Sequence, residues 1–126
     1  MRRTVLLCVS AAVFASCTAA PPAGQVAGTG EELREELFTS INTYVFEEDF
    51  RNARRAGLEY LDRFPGAPGE DEVRLIVGRA DIELGYHSEA GEVLRPLLEG
   101  EAESDERTEA LLMMSEIDSA NGDYYD

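Results

Sequence analysis

A short turn pattern recurs at a fixed spacing along this chain, and no other feature of the sequence constrains the fold as strongly. Residues 48–50 read EDF, residues 85–87 read GYH and residues 122–124 read GDY, so successive copies lie 37 residues apart. Ala53 and Ala90 keep the same spacing. A repeat of this length indicates an array of similar units, each too small to bury its apolar face alone.

Apolar residues recur at helical intervals between these turns. The five amphipathic stretches carry, in chain order, Leu33, Leu37, Ile41 and Tyr44; Phe50, Ala53, Gly57, Tyr60, Leu61 and Phe64; Val73, Ile76, Val77, Ala80 and Leu84; Ala90, Val93, Leu94, Leu97 and Leu98; and Ala110, Leu111, Met114 and Ile117. Thr29 and Glu32 have the spacing of a capping box before the first stretch. Pro96, inside the fourth stretch, predicts a kink or a shortened helix. Since no segment alternates with period two, the sequence predicts an all-α fold.

The turns and the helices beside them carry a family signature. Residues 48–53 read EDFRNA and residues 85–90 read GYHSEA. Residues 58–65 read LEYLDRFP, which matches a second helix with its closing proline. Val77 and Gly78 match the leucine-glycine pair of a first helix. Together these residues resemble the tetratricopeptide repeat (TPR).

The resemblance implies antiparallel helix-turn-helix repeats stacked as a short TPR-like α-solenoid. It extends over residues 31–126, with units at about 31–68, 69–105 and 106–126. The last unit is incomplete because it lacks a second helix. The chain is therefore also consistent with a truncated fragment of a longer TPR protein, or with an open end that a partner or a second copy covers.

The first residues have the pattern of a bacterial secretion signal. Arg2 and Arg3 provide positive charge, and residues 5–15 are apolar except for Ser10. This stretch has about half the length of a membrane-spanning helix, which favours a signal peptide over a transmembrane anchor. Residues 14–17 read FASC and resemble the lipobox, the motif at which bacterial lipoproteins are acylated.

We therefore predict a lipoprotein signal peptide over residues 1–16 and a lipid anchor, such as palmitate, on Cys17. Residues 17–30 are rich in Ala, Pro and Gly and predict a flexible tether. By resemblance to known sorting signals, Thr18 favours the outer membrane, with the domain facing the periplasm. An ordinary secretory signal cleaved after Ala20 is the alternative.

The charge of the chain excludes some classes of partner. There are 26 acidic residues against 11 arginines and no lysine, for a formal net charge of −15. Loss of Arg2 and Arg3 with the signal leaves nine arginines and a charge of −17. Such a surface repels both nucleic-acid phosphates and anionic lipid head groups. We expect no nucleic-acid partner, and membrane attachment only through a covalent anchor.

The sequence contains little that indicates catalysis or a cofactor. It has no glycine-rich phosphate loop, serine elbow or dinucleotide fingerprint. His87 has no second histidine to share a metal with, and we expect it to pack in the slot that Phe50 and Tyr124 occupy in the other repeats. The acidic runs lie at helix starts and in loops, where carboxylates favour the helix dipole and solubility. We expect no enzyme activity, no cofactor and no metal.

In the TPR family, the first helix of each repeat lines a concave surface, and the repeat period selects the residues on it. The resulting columns are Phe38, Leu75 and Leu112; Asn42, Arg79 and Glu116; and Val45, Ile82 and Ser119. We predict that a partner contacts Phe38, Asn42, Val45, Leu75, Arg79, Ile82 and Leu112. The alternative is that the apolar members only pack against neighbouring helices.

These features indicate a non-catalytic interaction scaffold of the bacterial cell envelope, anchored to the membrane by lipid. We expect it to bind peptide or protein segments of other envelope proteins on its concave face. The alternative is an accessory or substrate-binding lipoprotein that serves an envelope enzyme or transporter. No small-molecule substrate is evident from the residues.

Overall fold

The computed structural model of the chain describes residues 29–100 and 102–122, which form five α-helices and no strand. The helices are α1 (Gly30–Phe46), α2 (Phe50–Arg63), α3 (Glu70–Glu83), α4 (His87–Glu99) and α5 (Ser104–Ala120). The all-α prediction is thus confirmed, with a helix at each amphipathic stretch. The predicted signal peptide, Cys17, nearly all of the tether and Tyr124 lie outside the described residues.

The starts of α1 and α2 are capped by local polar side chains. Thr29 and Glu32 form the predicted capping box: the Glu32 amide donates to Thr29 Oγ1 at 3.4 Å, and the Thr29 amide donates to Glu32 Oε2 at 3.2 Å. At the start of α2, the amide of Asn52 donates to Asp49 Oδ1 at 3.1 Å. Each contact gives a partner to an amide that the helix itself leaves unpaired.

The turn between helices repeats its backbone conformation with the sequence period. Glu48, Gly85 and Gly122 all have a positive φ, of 56°, 80° and 75° respectively. Glycine adopts this left-handed region without steric cost, whereas a residue with a Cβ is strained there. The same bend therefore joins α1 to α2 and α3 to α4, and it recurs after α5.

Helices pack in chain order around α3. Each helix contacts the next one along the chain, and α3 also contacts α1 and α5. Within the described part of the chain, no Cα of α1 lies within 8 Å of α4 or α5. The helices therefore form an open stack, because a closed bundle would bring the first and last helices together.

Two apolar clusters make up the core, and α3 contributes to both. The cluster toward α1 contains Ile41, Ala56, Tyr60, Val73 and Val77. The cluster toward α5 contains Leu75, Ile82, Ala90, Leu94, Leu97, Ala110, Met113 and Ile117. Burial of apolar surface contributes roughly 25 cal/mol per Å² to the free energy of folding, and these two clusters are where the apolar side chains are buried.

Burial repeats with the same period as the sequence. The pairs Ala53/Ala90, Tyr60/Leu97, Val73/Ala110 and Ala80/Ile117 are each one period apart, and every member is at most 4% exposed. At these four pairs, equivalent residues of successive units are thus equally buried. The sequence repeat is therefore also a repeat of packing.

Tyr60 is the largest side chain with no exposed surface. Its hydroxyl donates to the carbonyl oxygen of Pro68 at 2.6 Å, so burial of this polar group is compensated. Phe38 and Phe64 pack against its ring, with centroids 6.1 and 5.6 Å away. Tyr60 thus ties α2 to α1 and to the loop before α3.

Two glycines allow α3 to approach both of its neighbours closely. A Cβ at Gly57 of α2 would lie 2.4 Å from Val77 Cγ2, and a Cβ at Gly78 of α3 would lie 2.6 Å from Leu94 Cδ2. Real Cβ atoms do not come this close to another side chain. The spacing of α2, α3 and α4 therefore depends on these two positions having no side chain.

Pro96 does not end α4 at once. The helix continues through it to Glu99, and the amide of Gly100 donates to the Pro96 carbonyl at 2.9 Å. At 13 residues α4 is nevertheless the shortest of the described helices. Pro96 cannot donate a backbone hydrogen bond to the preceding turn, which is consistent with the predicted shortening.

The glycine contacts give a matched pair of stability predictions. We expect Gly78→Ala to lower the free energy of unfolding by about 1–3 kcal/mol, because the new methyl overlaps Leu94. Gly91→Ala, in α4, is the control: a Cβ there meets only the Met114 methyl, at 4.0 Å. We expect it to raise the free energy of unfolding by about 0.5–1 kcal/mol through helix propensity. Urea denaturation followed by circular dichroism measures both, and equal effects would contradict this account.

Candidate functional site

Side chains from α1, α2, α3 and α5 meet around an apolar groove. The cavity in this groove has a volume of about 210 Å³. It is lined by Val45, Phe50, Glu72, Leu75, Ile76, Arg79, Glu109 and Met113. Five of these residues are apolar, and the three charged ones provide the polar contacts.

The core supports the floor of the groove. Leu75 is 7% exposed and Met113 is 1% exposed, and both belong to the cluster shared by α3, α4 and α5. Val45, in the last turn of α1, is 38% exposed. The apolar surface therefore runs continuously from the core to solvent, which is the shape that holds an apolar side chain of a ligand.

An ion pair at the edge of the groove links two units. Arg79 of α3 donates from Nη1 to Glu116 Oε2 of α5 at 2.8 Å. These residues are one repeat period apart, so equivalent positions of adjacent units lie side by side. The side chains are 40% and 49% exposed, so the pair contributes at most about 1 kcal/mol.

The structure brings only part of the predicted contact set together. Val45, Leu75 and Arg79 all line the cavity. These three residues come from two different helices, as the repeat alignment predicts for a surface made of first helices. Arg79 has Glu116 as its partner, and Glu116 belongs to the same predicted column.

The other four predicted residues lie elsewhere. Phe38 and Asn42 line a shallow depression of about 520 Å³ on α1, together with Thr39, Thr43 and Phe46. Ile82, 9% exposed, belongs to the core cluster beside Leu94 and Leu97. Leu112 is 67% exposed and lines neither cavity, because α5 turns Met113 rather than Leu112 into the groove.

The groove contains residues that the predicted columns missed. Glu72 and Glu109 are one period apart, as are Ile76 and Met113. Both pairs are therefore columns of the same repeat. Ile76 and Met113 follow the predicted column of Leu75 and Leu112 by one residue, or about 100° around the helix axis, and Glu72 and Glu109 precede that column by one helical turn. The repeat alignment contains this signal, but it does not say which face of the helix lines the groove.

A second cavity, of about 550 Å³, borders the first one and is acidic. It is formed by the loop before α3, the first turn of α3 and the start of α5. Its carboxylates are Glu70, Asp71, Glu72, Glu103 and Glu106, and Glu72 also lines the apolar cavity. The two cavities are thus neighbours that share one lining side chain.

The acidic residues of this second cavity differ in their partners. Arg74 Nη2 donates to Glu70 Oε1 at 2.6 Å, and this hydrogen bond holds the pKa of the Glu70 carboxyl below its ordinary value. Glu106 Oε2 is buried and has no hydrogen-bond partner among the described residues. A buried oxygen without a partner lowers the stability of the folded state.

His87 begins α4, outside the groove. Its Nδ1 lies 3.4 Å from Asn121 Oδ1, so the ring links α4 to the end of α5. Phe50, the equivalent residue of the first unit, lines the apolar cavity instead. Equivalence in the repeat therefore does not give these two side chains the same surroundings.

Asp81 is a buried charge behind the groove. Its carboxylate accepts a hydrogen bond from Arg54 Nε, and the Arg54 guanidinium carbon lies 5.1 Å from the ring centroid of Tyr86. Burial raises the pKa of Asp81, and Arg54 opposes that effect only in part. Because removal of Arg54 would leave the carboxylate buried without a partner, this contact holds α2 and α3 together.

Because the pKa of Asp81 is raised, this residue makes the free energy of unfolding depend on pH. The native state takes up a proton at a higher pH than the unfolded chain does, so lowering the pH through this window favours the native state. We expect the free energy of unfolding of the unmodified chain, measured relative to Asp81→Asn, to rise as the pH falls from neutral toward the ordinary aspartate pKa. Urea denaturation at a series of pH values measures this. Asp62→Asn, at an exposed site, controls for the lost charge. If the free energy of unfolding of the unmodified chain instead falls relative to that of Asp81→Asn, Arg54 lowers the pKa of Asp81 more than burial raises it.

Comparison with other proteins and with other site types adds no further assignment. Within residues 29–100 and 102–122, no group of three His, Cys, Asp or Glu side chains is arranged to hold a metal ion. None of the described helices combines the length and the apolar character needed to cross a membrane. Comparisons of the chain with protein families, curated proteins and solved structures found no match.

Proposed function

We propose that the chain is a non-catalytic scaffold of the bacterial cell envelope, tethered to the membrane by lipid, that binds protein segments in the groove between α1, α3 and α5. In this proposal the helices form a short TPR-like α-solenoid, and the groove is its concave face. The ion pair between Arg79 and Glu116 is the observation that carries the proposal. It joins equivalent positions of two units, as stacking of first helices requires.

The pattern of helix contacts supports an open solenoid. First helices contact first helices, α1 with α3 and α3 with α5. Among the described residues, α2 and α4 have no Cα atoms within 8 Å of each other. Units that touch on one side and separate on the other produce a curved array with a concave face.

The lining of the groove supports binding of a polypeptide. An apolar floor with charged residues at its edge suits an extended or helical segment that places one apolar side chain inward. Nearly half of the Arg79 and Glu116 side-chain surface remains accessible, so a ligand has polar groups to contact.

A covalent anchor fits the charge of the chain. The formal charge of −17 on the mature chain opposes adsorption to anionic lipids. Acyl chains on Cys17 would hold it at the membrane despite this repulsion, at about 0.8 kcal/mol per buried methylene. The residues between Cys17 and the Thr29 cap, 18–28, would then allow the domain to reach roughly 36 Å from the surface.

Peptide selection with a matched pair of variants tests the groove. Phage display on the immobilised chain would identify binding peptides without bias. We expect Val45→Glu to weaken the selected peptides by at least about tenfold, because it places a charge in the apolar cavity. Leu58→Glu is the control, since Leu58 is also 38% exposed but does not line the groove. Equal loss in both variants, or loss in neither, would contradict groove binding.

The anchor is tested by its cysteine. We expect Cys17→Ser to move the protein from the membrane fraction to the soluble fraction of an expressing bacterium and to abolish incorporation of labelled palmitate. Cys8→Ser, within the predicted signal, should change neither result. If Cys17→Ser behaves like the unmodified chain, the alternative of cleavage after Ala20 is favoured.

A further inference from the structure

We propose that the segment bound in the groove is positively charged: it places one apolar side chain in the cavity lined by Val45, Leu75 and Met113 and its lysines or arginines against Glu72 and Glu109. This inference rests on the proposed function, because it names the chemistry of the partner for the same groove. It follows from the charges at the edge of the groove and from the acidic cavity beside it.

The charged residues at the edge of the apolar cavity leave a net negative charge there. Of its three charged residues, Arg79 is the only cation, and its charge is offset by the ion pair with Glu116. Glu72 and Glu109 are both exposed. Neither forms an ion pair with another residue of the described chain. A ligand therefore meets two available carboxylates beside the apolar floor.

The anionic surface extends beyond the apolar cavity. Because Glu72 lines both cavities, a segment that leaves the apolar one along this side lies beside the acidic one. There it meets Asp71, Glu103 and Glu106, while Glu70 is already bound to Arg74. The order along the groove is thus one apolar position followed by several positions that favour cations.

The same charges argue against two other occupants. A second copy of the chain would bring another formal charge of −15 to an already acidic groove, and an acidic peptide would meet the same repulsion. A cationic segment gains attraction at long range as well as in contact, which raises its rate of association.

Isothermal titration calorimetry on the full chain in nonionic detergent tests the inference. The probe is a short synthetic peptide with a central leucine between paired lysines; the matched probes replace the lysines with glutamates or the leucine with serine. We expect the lysine-leucine peptide to bind most tightly, and to weaken as salt rises because the contacts are exposed. The serine probe should bind more weakly than the leucine probe at every salt concentration.

Paired substitutions locate the contact. We expect Glu72→Gln with Glu109→Gln to weaken the lysine-leucine peptide about tenfold, the combined effect of two exposed ion pairs. The control combines Asp62→Asn with Glu92→Gln, two exposed neutralisations on α2 and α4 that should leave affinity unchanged. Circular dichroism checks that both double variants remain folded.

Several outcomes would overturn the inference without touching the proposed function. Equal affinity for the lysine and glutamate probes would show that the groove does not select charge. Equal loss in both double variants would show that the peptide only responds to overall negative charge. A dimer in sedimentation that the lysine-leucine peptide does not dissociate would identify a second copy as the occupant. If display peptides still bind in a Val45-dependent way, the groove function stands; if nothing binds, both proposals fail.

Discussion

The position of every other helix depends on how closely α3 packs against α2 and α4. Two glycines permit this contact, Gly57 against Val77 and Gly78 against Leu94, and neither leaves room for a methyl group. From this position α3 reaches all four other described helices and contributes to both apolar clusters. The groove is a result of the same packing, since α3 supplies its floor while α1 and α5 remain apart.

The separation of α1 from α5 determines the character of the groove. Because the two helices do not meet, the face of α3 between them is covered only in part, and Leu75 and Ile76 line an open cavity rather than a closed core. Carboxylates then occupy the edge because Glu72 and Glu109 repeat with the period of the chain. The apolar floor of the groove and the negative charge at its edge thus both follow from the repeat of the sequence.

Much of this fold could be predicted from periodicity and capping. The five helices and the box formed by Thr29 and Glu32 follow from local patterns, and the repeat period correctly pairs Arg79 with Glu116. The rotation that places Met113 rather than Leu112 in the groove could not be predicted, because helices with wide apolar arcs can pack in more than one orientation. The acidic cavity joins a loop to a distant helix start, a contact that no local pattern encodes. The lipid anchor at Cys17 stays a prediction.

The bridge between Arg79 and Glu116 differs in kind from the contacts that hold α3 to its neighbours. Glycine-mediated packing resists compression steeply and is insensitive to salt, whereas an exposed ion pair is weak and screened over a Debye length of about 8 Å at physiological ionic strength. The spacing of α2, α3 and α4 is therefore stiff. The spacing of α3 and α5 is held by the core cluster that they share, so ionic strength acts on the ion pair alone and changes how far these two side chains cover the groove rather than how wide the groove is.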